Sequence, residues 1–503
     1  MVRVGKLEAH TIHEWSLELG KLTTWGPSPS SVAKVMTAPA NDVPPSYMQF
    51  QHMRNYRRYA NRGLEMSRLL ISAWDVDGRC DLRAMTHVIN THLRRHDTYG
   101  SWFEPTANEQ FIRHAVSNPM DIAFVAKQHG QLESVEEFRE HLLNVPTPLE
   151  WDCFRFFVMQ YENHFTLGVI MDHLHSDAMF IGVAFAELHL MYMTLASGEA
   201  PLRFAEAGKY EAYCARQREF TDSLSLSTPS VRKWVDFFSR NGGTLPQHAI
   251  PMGDPTVPCT LIGEQLLDAR QTAAFEEACT AAGVRFVGGV FAAAALVERH
   301  FTGADTYHAI IPIDMRREAV DFMTTGWFTG FVPISVPTTG ESFAEIAQIA
   351  QTSFDSGREL ADVPIERVME LAPWLREGDW GAPLLFYLDA GIPPLSAMAT
   401  SAAEELNARL CHDGGLLGQL NIRVNRLEDE TQLTALYPNN ATARESVASY
   451  IETLKSVMVR IAEGRDVMPQ RRRAGQLHLA YSRRNAFAAD GVEAAPVSTW
   501  RTG

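Results

Sequence analysis

The stretch Met171–Met179, MDHLHSDAM, decides how the rest of the chain is interpreted, because it holds an imidazole and a carboxylate four positions apart. Just before it, residues 154–171 contain two β-rich runs around a short polar connection, which predicts a hairpin. Just after it, residues 178–196 form an apolar run long enough for several turns of helix. His173 and Asp177 are therefore predicted to lie where a strand passes into a helix.

Mixed strands and helices extend outward on both sides of this turn, which predicts an α/β fold with mixed (α+β) sheets. Residues 1–200 are expected to form an N-terminal unit that carries the turn, and residues 259–468 a similar C-terminal unit. Residues 201–258 end in a Pro- and Gly-rich stretch and are interpreted as a linker or crossover. Residues 469–503 contain several arginines and an Ala- and Gly-rich ending, and are expected to form a disordered basic tail.

The composition narrows the class of protein. Of the 503 residues, 45 are Lys or Arg and 60 are Asp or Glu, and the resulting net charge of -15 argues against a nucleic-acid partner. The 6 cysteines follow no regular spacing, which is typical of reduced thiols. The N-terminus lacks the apolar run of a secretory signal, and Glu187 and His189 interrupt the apolar run 178–196. We therefore expect a cytoplasmic protein without a transmembrane segment.

The turn itself admits more than one chemical interpretation. The HxHxD pattern at residues 173–177 resembles the first part of the metallo-β-lactamase signature, in which imidazoles and a carboxylate bind zinc. That signature continues with a further His, where this chain has Ala178. In an acid–base interpretation, His173 accepts a proton near neutral pH and Asp177 orients the loop. A purely structural imidazole is the remaining alternative.

A second pair of imidazoles, His92 and His96, lies four positions apart on a predicted helix and could also chelate a metal. Because the sequence suggests no Cys or carboxylate partner for them, a solvated or hydrogen-bonded pair is the preferred interpretation.

Four short segments, which follow one another along the chain as they do in the superfamily, resemble the CoA-dependent acyltransferase superfamily of chloramphenicol acetyltransferase, plant BAHD acyltransferases and nonribosomal-peptide condensation domains. His173 and Asp177 match the second His and the Asp of its HHxxxDG motif, whereas Asp172 and Ala178 replace the first His and the Gly. The other matching segments are Pro45–Gln49, Leu93–Asp97 and Gly326–Pro333. The resemblance implies two chloramphenicol-acetyltransferase-like subdomains with a cleft or tunnel at their interface.

More narrowly, the chain resembles the mycobacterial polyketide-associated (Pap) acyltransferases of the branch that acylates trehalose. The segments that carry this resemblance are Val43–Tyr47, His92–Tyr99, Gly326–Gly330 and Tyr437–Asn440, and it covers roughly residues 1–465. It implies transfer of a long-chain fatty acyl group from acyl-CoA, or from a polyketide synthase carrier, to a trehalose-type sugar in cell-envelope glycolipid biosynthesis.

The resemblance also implies roles for individual residues. His173 is expected to act as the general base, and Asp177 to orient the site through an ion pair with Arg316 rather than with its neighbour Arg317. Substrate-binding residues are expected at Trp327, Thr329 and Gln49. No metal and no permanently bound cofactor are expected, since acyl-CoA would be a co-substrate.

Two alternatives from other classes stay open. A non-catalytic module that binds acyl chains or a carrier protein would keep the cleft and use the His structurally. A zinc-dependent hydrolase would use the HxHxD pattern. Under the acyltransferase interpretation we expect a monomer, with a polyketide synthase or a membrane lipid exporter as further partners and an association with the inner face of the plasma membrane.

Overall fold

A computed structural model describes residues 2–4, 7–16, 18–247, 250–340, 342–378, 384–390, 404–465 and 467, and all statements below concern these residues. The strands are β1 (Val2–Val4), β2 (Leu7–Thr11), β3 (Lys21–Pro27), β4 (Ala40–Asn41), β5 (Leu69–Asp77), β6 (Ser101–Pro105), β7 (Phe111–Ala115), β8 (Phe124–Gln131), β9 (Phe154–Gln160), β10 (His164–Asp172), β11 (Cys259–Leu267), β12 (Thr306–Asp314), β13 (Thr329–Pro337), β14 (Leu384–Asp389), β15 (Arg409–His412), β16 (Asn421–Arg426) and β17 (Thr431–Pro438). The helices are α1 (Pro29–Met36), α2 (Tyr47–Ala60), α3 (Leu82–Arg95), α4 (Val135–Leu143), α5 (Ala178–Ala196), α6 (Tyr210–Asp222), α7 (Pro229–Arg240), α8 (Ala269–Ala281), α9 (Phe286–Thr302), α10 (Phe343–Gly357), α11 (Ile365–Leu371) and α12 (Ala441–Ala462).

The first sheet has the strand order β1-β2-β15-β5-β10-β9-β3-β8, and the predicted hairpin lies in it as β9 and β10. Alternate side chains of these strands pack on opposite faces, against α3 and α5 on one side and α4 on the other. Gly168 of β10 stands opposite Phe157 of β9, whose ring occupies the space that a Cβ at position 168 would need. The buried hairpin thereby delivers the chain to the turn that follows Asp172.

The second sheet has the order β11-β17-β16-β14-β12-β13, with α8, α9, α10 and α12 covering one face. A small third sheet joins β4, β7 and β6. The mixed α/β fold predicted from the sequence is confirmed. The apolar residues of the run 326–336 predict one strand that glycine interrupts. Strand β13 begins only at Thr329, because the amide of Phe328 donates to the Asp177 carboxylate instead of a neighbouring strand.

One short strand crosses between the two halves of the chain. Although β15 lies at residues 409–412, it is inserted in the first sheet, parallel to β2 and antiparallel to β5. The expected division into residues 1–200 and 259–468 therefore does not describe the sheets fully, since a strand of the second range completes the sheet of the first. Four residues without an alternating pattern give no sequence signal for such an insertion.

The segment 201–258, interpreted from the sequence as a linker, contains α6 and α7 and is packed against the rest of the protein. Tyr210 at the start of α6 is fully buried, and its backbone amide donates to Asp97 at 2.9 Å. The Tyr210 hydroxyl contacts Ser46 Oγ and the carbonyl of Trp327, each at 2.9 Å. This segment is therefore part of the interface between the halves. The expected basic tail, residues 469–503, lies outside the described residues.

Helix α5 is long and apolar enough to cross a membrane by length and composition, and the bent pair α8 and α9 passes the same test together. In the protein, one side of α5 packs in the core beneath the first sheet. Its single carboxylate, Glu187, is buried and paired with Arg95 of α3, with Nε to Oε1 at 2.6 Å. These contacts are those of a core helix, as the sequence predicts.

Candidate active site

The turn between β10 and α5 is fixed by an aspartate at each end. Asp172 accepts a hydrogen bond from the Leu174 amide at 2.9 Å, which caps the 3₁₀ turn at residues 173–175. Asp177 accepts from the amides of Met179 and Phe180 at 3.0 and 3.1 Å and caps α5. The backbone between the two caps has little freedom, so His173 is held in one place.

Asp177 also joins the turn to the second half of the protein through a bidentate ion pair. Arg316 donates through Nη1 to Oδ2 at 2.7 Å and through Nη2 to Oδ1 at 3.1 Å, and its side chain is only 1% exposed. The Phe328 amide adds a third hydrogen bond, to Oδ2 at 3.0 Å. Although burial alone would lower the pKa of Arg316, the neighbouring Asp177 raises it. The competing residue, Arg317, is 65% exposed and pairs with Asp362 instead.

His173 lies against Trp327, with ring centroids 4.0 Å apart. Its Nδ1 is buried and has no hydrogen-bond partner among the described residues, and its backbone amide donates to the Arg68 carbonyl at 2.8 Å. Burial, helped by the neighbouring His52, lowers the pKa of His173 to about 4. The imidazole is therefore neutral at pH 7 and able to accept a proton.

Asp172 replaces the first His of the superfamily motif and forms a buried charged cluster. His52 Nε2 lies 2.7 Å from Asp172 Oδ1, and Arg68 Nη1 donates to Oδ2 at 2.8 Å. Burial alone would raise the pKa of the Asp172 carboxyl. The effect of His52 and Arg68 is larger, so the pKa of Asp172 is lowered to about 2. No motif in the sequence points to His52 or Arg68. The available signal was Asp172 itself, since a carboxylate at the end of a buried strand requires partners.

The three residues expected to bind substrate have different surroundings. Trp327 contacts His173 and also packs edge-on against His52, with centroids 5.5 Å apart. Thr329 is the first residue of β13, opposite Asp314. Gln49 is buried, and both ends of its amide are engaged: Oε1 accepts from the Ser46 amide at 3.2 Å and Nε2 donates to the Leu174 carbonyl at 3.1 Å. These contacts tie the start of α2 to the turn.

The side chains of the HxHxD pattern do not converge on one point. His173 faces Trp327, and Asp177 is bound by Arg316. His175 is buried, with its Nδ1 2.9 Å from the Thr98 hydroxyl. Each side chain has a separate neighbour, so this geometry gives no support to a zinc site at the turn.

A cluster of potential metal ligands is instead formed by His92, His96 and Glu187, all buried. The sequence suggested no carboxylate near the two imidazoles, and Glu187 of α5 is that missing partner. Glu187 Oε2 lies 2.8 Å from His92 Nδ1 and 3.0 Å from His96 Nε2, while Oε1 binds Arg95. The Glu187 carboxylate already has the Arg95 guanidinium as its counter-ion. The side chains of His92, His96 and Glu187 therefore form a hydrogen-bonded brace between α3 and α5.

Comparisons with known proteins agree with this architecture. The family model for the condensation domain matches residues 70–378. The solved structure of PapA2 acyl transferase superposes with a TM-score of 0.87 at 45% sequence identity, covering 91% of this chain and 100% of that one. The first condensation domain of the calcium-dependent antibiotic synthetase has a TM-score of 0.62 at 15% identity over 83% of this chain, a likeness of fold alone.

Sequence relatives are similar over nearly the whole chain. The 2'-acyl-2-O-sulfo-trehalose (hydroxy)phthioceranyltransferase PapA1 of Mycobacterium tuberculosis is 47% identical over 465 residues, 92% of this chain and 90% of the relative. The trehalose-2-sulfate acyltransferase PapA2 of Mycobacterium bovis is 46% identical over 90% of this chain and 97% of its own. The acyltransferase PapA3 of Mycobacterium tuberculosis is 45% identical over 92% and 98%. The chain therefore belongs to the condensation-domain family and, within it, to the Pap acyltransferases.

Proposed function

We propose that this enzyme transfers a long-chain fatty acyl group from acyl-CoA to a hydroxyl of trehalose or a trehalose derivative. The observation that carries the proposal is His173, a neutral imidazole held rigidly against Trp327 beside the ion pair that joins the two halves. The relatives named for acyl transfer to trehalose derivatives supply the substrate class.

In this mechanism, His173 acts as the general base. Its Nδ1 is buried, which leaves Nε2 to meet the substrate. Nε2 takes the proton of the sugar hydroxyl while the hydroxyl oxygen attacks the thioester carbon. The tetrahedral intermediate then collapses, the carbon–sulfur bond breaks, and the thiolate of CoA takes the proton back from the imidazolium. The transfer is direct, and no covalent acyl-enzyme is formed.

Asp177 has a positioning role. Its carboxylate is occupied by Arg316 and by three backbone amides, so it is not available as a base. Its contribution is to hold the start of α5 next to the segment that carries Trp327. Both substrates would then meet in the cleft between the halves.

The donor and the cellular setting are part of the same proposal. Acyl-CoA serves as the co-substrate, or a polyketide synthase carrier presents the acyl group directly. The protein works in the cytoplasm, at the inner face of the plasma membrane, where a lipid exporter can receive the acylated sugar. This setting follows from the chemistry of a water-soluble acceptor and a lipid product.

The test is acyl transfer from palmitoyl-CoA to trehalose and to trehalose 2-sulfate, with products identified by mass. We expect His173→Ala to reduce transfer by roughly 10²- to 10⁴-fold, the usual contribution of general base catalysis, with an unchanged melting temperature. His164→Ala, at the opposite end of the same strand, is the matched control and should retain activity. Comparable transfer by His173→Ala would refute the assignment. A protein that binds palmitoyl-CoA without releasing CoA thiol would instead be a non-catalytic binding module.

A further inference from the structure

Arg423 of β16 has an environment that the proposed reaction does not explain. Its guanidinium lies over the Phe386 ring, with Cζ 4.9 Å from the centroid. Among the described residues, no carboxylate is within ion-pair distance of it and no hydrogen bond engages its side chain. Burial lowers the pKa of this guanidinium, and no carboxylate of the described residues offsets that effect. Arg423 is only half-buried, but a partly desolvated cation without a counter-ion costs stability, which makes this residue a candidate for binding a ligand.

The strand around Arg423 presents other polar groups on the same face. Ile422 and Val424 point into the apolar core beneath the second sheet, so residues 421, 423 and 425 point to the opposite face. Asn421 Oδ1 and Asn425 Nδ2 are both buried and without a hydrogen-bond partner in the described chain. Orphaned polar atoms in a protein interior are exceptional, and two of them flank an uncompensated cation here.

This polar face lies within electrostatic range of His173. His412 of β15 stands opposite Leu70 of β5, and Leu70 stands opposite Met171 of β10, two residues before His173. The chain then crosses from His412 in the first sheet to Arg423 in the second. The positive charge of Arg423 reaches both imidazoles, since it contributes to the lowered pKa of His173 and of His412.

We propose that Arg423, with the side-chain Nδ2 of Asn425 as a second donor, binds the anionic oxygens of a sulfate ester on the sugar acceptor and so selects sulfated over neutral trehalose. A guanidinium offers planar paired donors that match a tetrahedral oxyanion, and the Asn amide can add one more. The names of the relatives leave this point open, since two refer to sulfated trehalose and PapA3 carries no acceptor in its name.

The same chemistry would fit a phosphate of CoA, but the position argues against that source. The thioester must lie at His173 when the reaction occurs, and the long pantetheine arm separates it from the nucleotide phosphates. A sulfate on the disaccharide stays within a few bonds of the reacting hydroxyl. An anion site this near His173 therefore suits the acceptor better than the donor.

This inference rests on the proposed function, and its first test compares kcat/KM for trehalose 2-sulfate and for trehalose. The wild type should prefer the sulfated sugar by roughly tenfold to a hundredfold, the range of a charge-assisted hydrogen bond. Arg423→Gln should remove most of this preference and leave the KM for palmitoyl-CoA unchanged. The matched control is Arg426→Gln, three residues along β16, whose guanidinium pairs with Asp389 and Glu276. It should keep the preference.

Direct binding separates this inference from the catalytic proposal. Calorimetry should show that His173→Ala binds trehalose 2-sulfate more tightly than trehalose. The double variant His173→Ala/Arg423→Gln should bind the two sugars with the same affinity. If neither sugar is acylated but this binding difference is found, the acyltransferase proposal fails and the anion site stands. Equal effects of Arg423→Gln on both sugars, or a raised KM for palmitoyl-CoA, would overturn the inference.

A stability measurement distinguishes a ligand-binding role from a structural one. Because Arg423 has no counter-ion in the part of the chain that the structure describes, Arg423→Gln should melt at the same temperature as the wild type or higher in the absence of ligand. Trehalose 2-sulfate should raise the melting temperature of the wild type and not that of the variant. A variant that melts well below the wild type would mean that Arg423 supports the fold, and the inference would be wrong.

Discussion

Replacing Asp177 by Asn should cost about 3–5 kcal/mol of unfolding free energy, the usual loss when one partner of a buried ion pair is removed. Asn retains a side-chain oxygen for the two amides that open α5, and it caps helices as well as Asp does. The loss therefore falls on Arg316, whose buried guanidinium would face an amide nitrogen, and on the Phe328 amide. Urea unfolding followed by tryptophan fluorescence measures this difference.

Asp314→Asn provides the matched control. Asp314 also contacts Arg316 Nη1, at 3.2 Å, but its side chain is 41% exposed, so its removal should cost at most about 1 kcal/mol. Arg316→Met completes a double-mutant cycle with Asp177→Asn, and the double variant should be more stable than the sum of the single losses predicts. Additive losses, or a loss below about 1 kcal/mol for Asp177→Asn, would refute the role of this pair as the brace between the halves.

Three other predictions address the imidazole, a glycine and the buried carboxylate. Because the pKa of His173 is lowered to about 4, kcat/KM should stay constant from pH 8 to about pH 5 and should fall as the pH drops through about 4. A decrease of kcat/KM that is already half complete near pH 6.5 would contradict this. Gly326→Ala should cost about 1–3 kcal/mol more than Gly63→Ala in denaturant unfolding, because a Cβ at 326 would overlap the buried Tyr210 ring whereas Gly63 has open space. Glu187→Gln should lose about 3–5 kcal/mol with or without a chelator; zinc that stabilises the wild type but not this variant would reveal a metal site instead.

The pH dependence of stability follows from the same shifts. Burial lowers the pKa of His173 from 6.5 to about 4 and that of His175 likewise. Between these pH values the unfolded chain binds protons that the native imidazoles do not, so the free energy of unfolding falls as the pH drops from 6.5 towards 4. The contribution of these residues is fully present above about pH 6.5, where both states are neutral.

Local sequence patterns predicted much of the fold. Two β-rich runs predict the hairpin before the turn, and apolar residues at helical spacing predict α3. The sequence also predicts a helix around residues 135–143, and α4 has these bounds, Val135–Leu143. Strand β13 was less well predicted, because its start depends on a hydrogen bond from the Phe328 amide to Asp177, far away in sequence. A hydrophobic pattern indicates whether a segment forms a helix or a strand, but tertiary contacts decide at which residue the element begins.

The candidate site could be predicted only as far as a motif reaches. His173 and Asp177 lie in one pentapeptide, whereas Arg316 is 139 residues from Asp177 and was identified through the family resemblance. No motif in the sequence identifies His52 and Arg68 as the partners of Asp172. The same holds for Glu187, which binds His92 and His96. Their pairing depends on how α2, β5 and α5 pack, and sequence spacing carries no information about it.

The inserted strand β15 also has a consequence for how the protein is made. Cys411 in β15 contacts His10 in β2, residues 401 positions apart, so the first sheet cannot close until almost the whole chain has left the ribosome. Until then β2 and β5 present unpaired edges, which are templates for association with other chains. Contacts of such separation form slowly. Folding of the N-terminal half should therefore wait for the end of synthesis, and translation arrested before residue 409 should yield an aggregation-prone chain.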